Sequence, residues 1–150
     1  MPTMAVAERW RTAPPLLLST SECLDRVTPV LRDCVHIEAA YLFGSRAQQT
    51  ISLGSDLDLA IWTDRVFAWQ DLYELRGRIT GALRSERVDL VWLDHADPVF
   101  PFQVLETGRM LFCRDPDCLN ARELHAKHRF RDYRLYLERR RRWRNDGLPP

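Results

Sequence analysis

Ile37-Glu38-Ala39-Ala40-Tyr41-Leu42-Phe43 runs into Gly44-Ser45-Arg46, and Asp56-Leu57-Asp58-Leu59-Ala60-Ile61-Trp62 follows after a polar stretch. The first segment is a short apolar run closed by a Gly-Ser pair, the pattern of a buried strand entering a turn. The second alternates and reads as another strand. Residues 46–55, polar and ending in Gly54-Ser55, read as the loop between them. Residues i and i+2 of a strand face the same side, so Asp56 and Asp58 project two carboxylates together. Like charges that close favour their neutral forms unless a cation compensates. A divalent ion such as Mg²⁺ is the natural partner, because it prefers oxygen ligands and shares substrate phosphates. Two carboxylates can bridge two such ions roughly 3.5–4 Å apart, the arrangement for in-line phosphoryl displacement.

Two further features belong to this constellation. Glycine lets backbone N–H groups approach an anion closely and serine adds a hydroxyl donor, so Gly44-Ser45 suits a triphosphate. Arg46 is a fixed cation that can fork onto phosphate oxygens, or pair with a local carboxylate instead. A third carboxylate is needed to act on an attacking hydroxyl. Asp89, inside the apolar run Val88-Asp89-Leu90-Val91-Trp92-Leu93, is costly there unless paired or metal-bound. Asp94 is the second candidate, in a turn-like setting with Asp97-Pro98.

Outward from this centre, Ser19 and Glu22 have capping-box spacing ahead of Leu24, Val27, Val30 and Leu31, with Pro29 marking a kink or break. Residues 66–84 are helical in period, with Thr63-Asp64 as a cap or Asp71 starting a second segment. Residues 98–107 form a short helix that stops before Gly108, and Arg109–Cys113 a last edge strand. Asp115-Pro116 opens a long helix reaching about Arg144. The order predicts one α/β (α+β) domain with a mixed sheet flanked by helices and a long C-terminal helix. Residues 1–20, with Pro2, Pro14 and Pro15, read as a flexible arm, 21–114 as the catalytic domain, and 115–150 as a basic helix packed on the domain or a partner.

A length of 150 residues suits one domain, and 45% apolar with 29% charged residues excludes collagen and a wholly disordered chain. No run of 18 or more apolar residues predicts a membrane span. Cys23, Cys34, Cys113 and Cys118, without a secretory leader, suit the reduced thiols of a cytoplasm. The net charge of +1 divides unevenly: residues 1–120 carry 12 arginines against 17 acids, residues 121–150 carry 10 cations against 4 acids. A basic arm on an acidic body suits RNA phosphates or an acidic protein partner.

With these residues in place, the chain resembles the polymerase-beta-type nucleotidyltransferase superfamily over about residues 25–113. The resemblance rests on Phe-Gly-Ser-Arg-Ala at 43–47, Ser-Asp-Leu-Asp-Leu-Ala at 55–60, and Asp89 on a later strand. The short length is similar to that of the minimal nucleotidyltransferases, the MntA-like antitoxins of HEPN/MNT toxin–antitoxin modules. That resemblance implies Asp56, Asp58 and Asp89 as catalytic metal ligands for two Mg²⁺ ions, and Gly44, Ser45, Arg46 and Ser55 as nucleotide-binding residues. It implies ATP as substrate, AMP transferred to a tyrosine of a HEPN ribonuclease toxin, and a hetero-oligomer with that toxin. Many relatives carry a glycine soon after Gly-Ser-Arg-Ala, whereas this chain has Gln48-Gln49 and delays its glycine to Gly54. Neutralisation of a toxin by contact alone, or transfer to RNA or a small molecule, are the alternatives. Zinc on Cys113, Cys118, His125 and His128 fits no common finger spacing. Trp10, Trp62, Trp69 and Trp92 read as core or interface anchors.

Overall fold

A computed structural model describes residues 13–48 and 54–147. Its elements are α1 (Thr20–Asp33), β1 (Ile37–Phe43), β2 (Leu57–Thr63), α2 (Trp69–Leu83), β3 (Val88–Trp92), α3 (Val99–Thr107), β4 (Arg109–Cys113) and α4 (Pro116–Asp146). The strands form one mixed sheet in the order β3-β2-β1-β4. β1 is antiparallel to both β2 and β4, and β2 is parallel to β3. The parallel pair needs a crossover, and α2 supplies it.

Strand alternation divides the core in two. On one face Ala40, Leu42, Leu57, Leu59, Ile61 and Val88 meet Cys23, Val27 and Leu31 of α1 and Leu75, Ile79 and Leu83 of α2. On the other, Ala39, Tyr41, Ala60 and Trp62 meet Val104 of α3 and Leu119 and Ala126 of α4. Each fully buried Leu or Ile contributes roughly 1.5–3 kcal/mol relative to exposure. Asp58 has the parity of Ala60 and Trp62, and Asp89 that of Val91, so both carboxylates belong to the α3/α4 face.

Local chemistry sets the boundaries. Ser19 caps α1 through its hydroxyl, which accepts from the Glu22 N–H at 3.1 Å, while Glu22 accepts from the Ser19 N–H. α1 runs on through Pro29, where a kink or break was an expectation, because Val27 and Leu31 anchor both sides of the missing hydrogen bond. α2 begins at Trp69. Asp64 instead closes a turn, its Oδ1 accepting from the Val66 and Phe67 N–H groups, and Asp71 accepts from the Ala68 N–H at 2.8 Å. Asp115 and Pro116 open α4 as expected, and Gly147, at φ 69°, closes it.

The segment read as a free arm divides. Residues 1–12, with Trp10, lie outside the described residues, but 13–19 is fastened to the body. Leu16 is buried and bridges to Gly54, and the carbonyls of Ala13, Leu16 and Leu18 accept from arginines. Proline content alone does not reveal such acceptors. α4 also divides: Arg122 joins Asp94 at 2.7 Å and Glu38 at 2.9 Å and donates to the Thr63 carbonyl at 2.6 Å, while the helix beyond Phe130 stands clear.

Candidate active site

Register assembles the acids. Asp58 of β2 lies opposite Asp89 of β3 in the parallel pair, and Asp56 precedes Asp58 on the entry to the strand. On the other side of β2, Asp58 is the partner of Phe43, which brings Gly44 against it. Gly44 has φ +72°, and a Cβ there would sit inside the van der Waals envelope of Asp58 Oδ2 and 3.0 Å from its Cγ. Glycine is therefore required twice, for the left-handed backbone and for the close approach. The Ala47 N–H closes the turn onto the Gly44 carbonyl at 3.2 Å, and Ser45 is exposed beside it.

Electrostatics mark the same spot. Burial, then the charges of Asp89 and Asp56, push the Asp58 carboxyl up from 3.8 to about 6. Burial also raises Asp89, with Arg76 opposing and Asp56 adding to the shift. Partly buried carboxylates that hold each other's protons are a site short of positive charge. Arg87 relieves part of this, with Nη1 3.5 Å from Asp56 Oδ1. Its Nε and Nη2 donate to the Ala13 carbonyl at 3.1 and 2.7 Å.

The donor set suits Mg²⁺, which keeps several waters and takes one or two carboxylates plus substrate phosphates rather than a closed protein cage. Among the described residues no three ligating side chains are already gathered as a cage. Cys113, Cys118, His125 and His128 form no metal group either, and Cys118 Sγ lies 3.6 Å from Glu38 Oε2.

Arg46, which the sequence offers as a phosphate ligand, is engaged by acceptors of the protein itself. Its side chain is buried and donates to the carbonyls of Ser55 (2.8 Å), Leu18 (2.9 Å) and Leu16 (3.1 Å) and to Thr20 Oγ1 (3.3 Å). A guanidinium so engaged braces the turn that carries Gly44 and Ser45 against residues 16–20 and 55. Ser55 precedes Asp56, and its carbonyl is one of these acceptors. Asp94, the second candidate for the third acid, is taken up by the Thr63 N–H at 3.0 Å and by Arg122 at 2.7 Å. Asp89 alone of the two lies beside Asp58. Arg76 and Arg87 are absent from the sequence reading. Their role depends on which acid the fold places beside them, although Arg87 two residues before Asp89 is a usable signal.

A Gly-Ser turn packed against Asp58, with Asp89 opposite on the paired strand and Asp56 just before the first, is the arrangement expected of a nucleotidyltransferase centre. The family model "Polymerase beta, Nucleotidyltransferase" matches residues 25–117, and the chain belongs to that family. It is similar to the protein adenylyltransferase MntA of Shewanella oneidensis (strain MR-1), with 34% identity over 98 residues, 62% of this chain and 67% of the relative. Among solved structures, a toxin–antitoxin complex with AMP-PNP contains a chain that superposes with a TM-score of 0.63 at 30% identity, covering 82% of this chain and 96% of that one. A chain from the tri-AMPylated Shewanella oneidensis HEPN toxin in complex with MNT antitoxin superposes at 0.61 with 25% identity, covering 87% and 98%. The fold is thus the polymerase-beta-type nucleotidyltransferase fold, and the chain is a nucleotidyltransferase with the features of the MntA-like group. Among the described residues no helix is long and apolar enough to cross a membrane.

Proposed function

We propose that this chain is the antitoxin of a toxin–antitoxin pair and a protein adenylyltransferase, moving AMP from ATP to a tyrosine of a HEPN-type toxin with which it forms a hetero-oligomer. The observation that carries the reading is Asp58 set between Gly44 and Asp89, with Asp56 adjacent. The relatives' descriptions support the choice of nucleotide and acceptor: one is a protein adenylyltransferase, and another is bound to an AMPylated HEPN toxin.

Asp56 and Asp58 would hold two Mg²⁺ ions, with Asp89 completing the set. When bound, these ions neutralise the triphosphate and orient it for in-line displacement. The Gly44-Ser45 turn offers backbone N–H groups and a hydroxyl to the phosphate oxygens. Asp89 accepts the proton of the incoming tyrosine hydroxyl, and burial raises its basicity for that task. The tyrosine oxygen bonds to the α-phosphorus, the bond from that phosphorus to the bridging oxygen breaks, and pyrophosphate leaves. Gly44 and Arg46 hold the loop and need not move, so catalysis rests on positioning and charge.

The test uses ATP labelled at either the α or the γ phosphate, with the purified chain, Mg²⁺ and the protein encoded beside it. Label from the α position alone should appear on that protein and vanish with Asp58→Asn. Transfer of γ label, or undiminished α transfer by a folded Asp58→Asn chain, would overturn the reading.

A further inference from the structure

The family match ends at residue 117, yet α4 runs to Asp146. Its first half is part of the body: Leu119 and Ala126 are buried, Arg122 binds Asp94, and Phe130 stacks on Phe102 at 3.9 Å between centroids. From Arg131 onward, the ion pairs and ring contacts among the described residues are internal to the helix. They are Arg131 with Asp132, Arg134 with Glu138 at 3.5 Å, and Arg140 over Tyr136. At 1.5 Å per residue this second half projects about 24 Å.

Its pattern is not that of a merely solvated helix. At 100° per residue, Tyr133, Tyr136, Leu137 and Trp143 share a stripe about 120° wide with Arg140 and Arg144, while Arg131, Arg134, Arg141 and Arg142, with Leu135 among them, take the other side. Tyr136 is 51% and Leu137 44% exposed. Residues 131–144 hold seven arginines against Asp132 and Glu138. Trp, Tyr and Arg are the residues that dominate protein interfaces, and anchors at i, i+3, i+4 and i+10 suit a helix lying in a groove. Phosphate binding alone needs no continuous apolar stripe.

We propose that residues 131–147 are a docking arm that lays this stripe in an apolar groove with acidic rims on the protein that accepts the nucleotide. α4 is one unbroken helix, so its packed half fixes the arm relative to the face that carries Asp58 and Asp89. The arm therefore sets affinity for the acceptor and leaves the chemical step alone. It lies beyond the family match, which ends at residue 117. This inference rests on the proposed protein acceptor.

The test keeps the full chain and compares Tyr136→Ser/Leu137→Ser/Trp143→Ser, and separately Arg139→Gln through Arg142→Gln, with the wild type. Acceptor binding is followed by calorimetry and transfer by steady-state kinetics, and thermal melting checks the body. Both variants should raise the acceptor Kd and KM at least about tenfold, since anchors of these types commonly act so strongly. The kcat and the KM for ATP should stay within about twofold, because uniform binding is lost and not transition-state binding. The arginine variant should also flatten the salt dependence of binding.

An unchanged acceptor Kd overturns the proposal. So does arm-dependent binding of a single-stranded RNA oligonucleotide, or of a second copy of the chain by light scattering, with acceptor affinity unaltered. If the wild type binds the neighbour through the arm but transfers nothing, the adenylyltransferase reading fails while docking stands. If transfer proceeds and the variants leave the acceptor Kd and KM alone, only docking fails.

Discussion

Replacing Asp58 by asparagine should abolish transfer and yet make the metal-free protein more stable. Burial, with the charges of Asp89 and Asp56, raises the Asp58 carboxyl from 3.8 to about 6. In the unfolded chain it titrates near its ordinary value. Below about pH 4 both states hold the proton and nothing is lost. Between about pH 4 and 6 the folded state keeps a proton that the unfolded state has released, so stability falls as pH rises. A gap of about two pH units at 1.36 kcal/mol each gives a loss of about 3 kcal/mol, complete above about pH 6. Partial solvent contact reduces this to about 2–3 kcal/mol. Asparagine is nearly isosteric and carries no charge, so it escapes the loss. Urea unfolding in EDTA, followed by tryptophan fluorescence, should show Asp58→Asn more stable than wild type by about 2–3 kcal/mol near pH 7.5 and equal near pH 4. Mg²⁺ should then stabilise the wild type and not the variant, because only the wild type offers the carboxylate. A variant no more stable than wild type in EDTA near pH 7.5 would refute the electrostatic reasoning.

Other consequences follow from the same geometry. Gly44→Ala should lose transfer and destabilise the fold by at least about 1–2 kcal/mol, the ordinary cost of left-handed backbone, with the push against Asp58 added; urea unfolding and the label assay read both. Arg46→Lys, unable to reach three carbonyls and Thr20 at once, should cost at least about 3 kcal/mol in unfolding free energy, since each charged hydrogen bond contributes roughly 1.5–3. Arg87→Ala should reduce transfer and cost about 1.5–3 kcal/mol of stability, the contribution of a charged hydrogen bond, and hydrogen exchange should quicken around Ala13–Leu16, whose tether it cuts. Transfer at limiting Mg²⁺ should decline below about pH 6 and recover with added metal, because proton and metal compete for Asp58.

Local pattern was enough for most of the frame. The strand pair 37–43 and 56–62 appears as Ile37–Phe43 and Leu57–Thr63, because alternation and a Gly-Ser stop leave little choice. Asp56 and Asp58 stand out by their i, i+2 spacing after a Gly-Ser turn, and Asp89 because an acid inside an apolar strand is costly without a purpose. The surroundings of Arg46 are not legible locally, since its acceptors include the carbonyls of Leu16 and Leu18, 30 and 28 residues away, and only the fold brings them near. The same distance hid the tether of 13–19 and the place of Arg87. Trp69, grouped with the core or interface anchors, is 58% exposed while Trp62 and Trp92 are buried, a difference set by which helix face meets the sheet.

The central claim, that the three acids transfer a nucleotide to a protein, is tested most directly by intact mass spectrometry. The protein encoded beside this chain would be co-expressed with it, and separately with the Asp56→Asn/Asp58→Asn form. Mass steps of one or more AMP units should appear on that protein with the wild type and none with the variant. An unmodified partner that still copurifies with the wild type would contradict the claim.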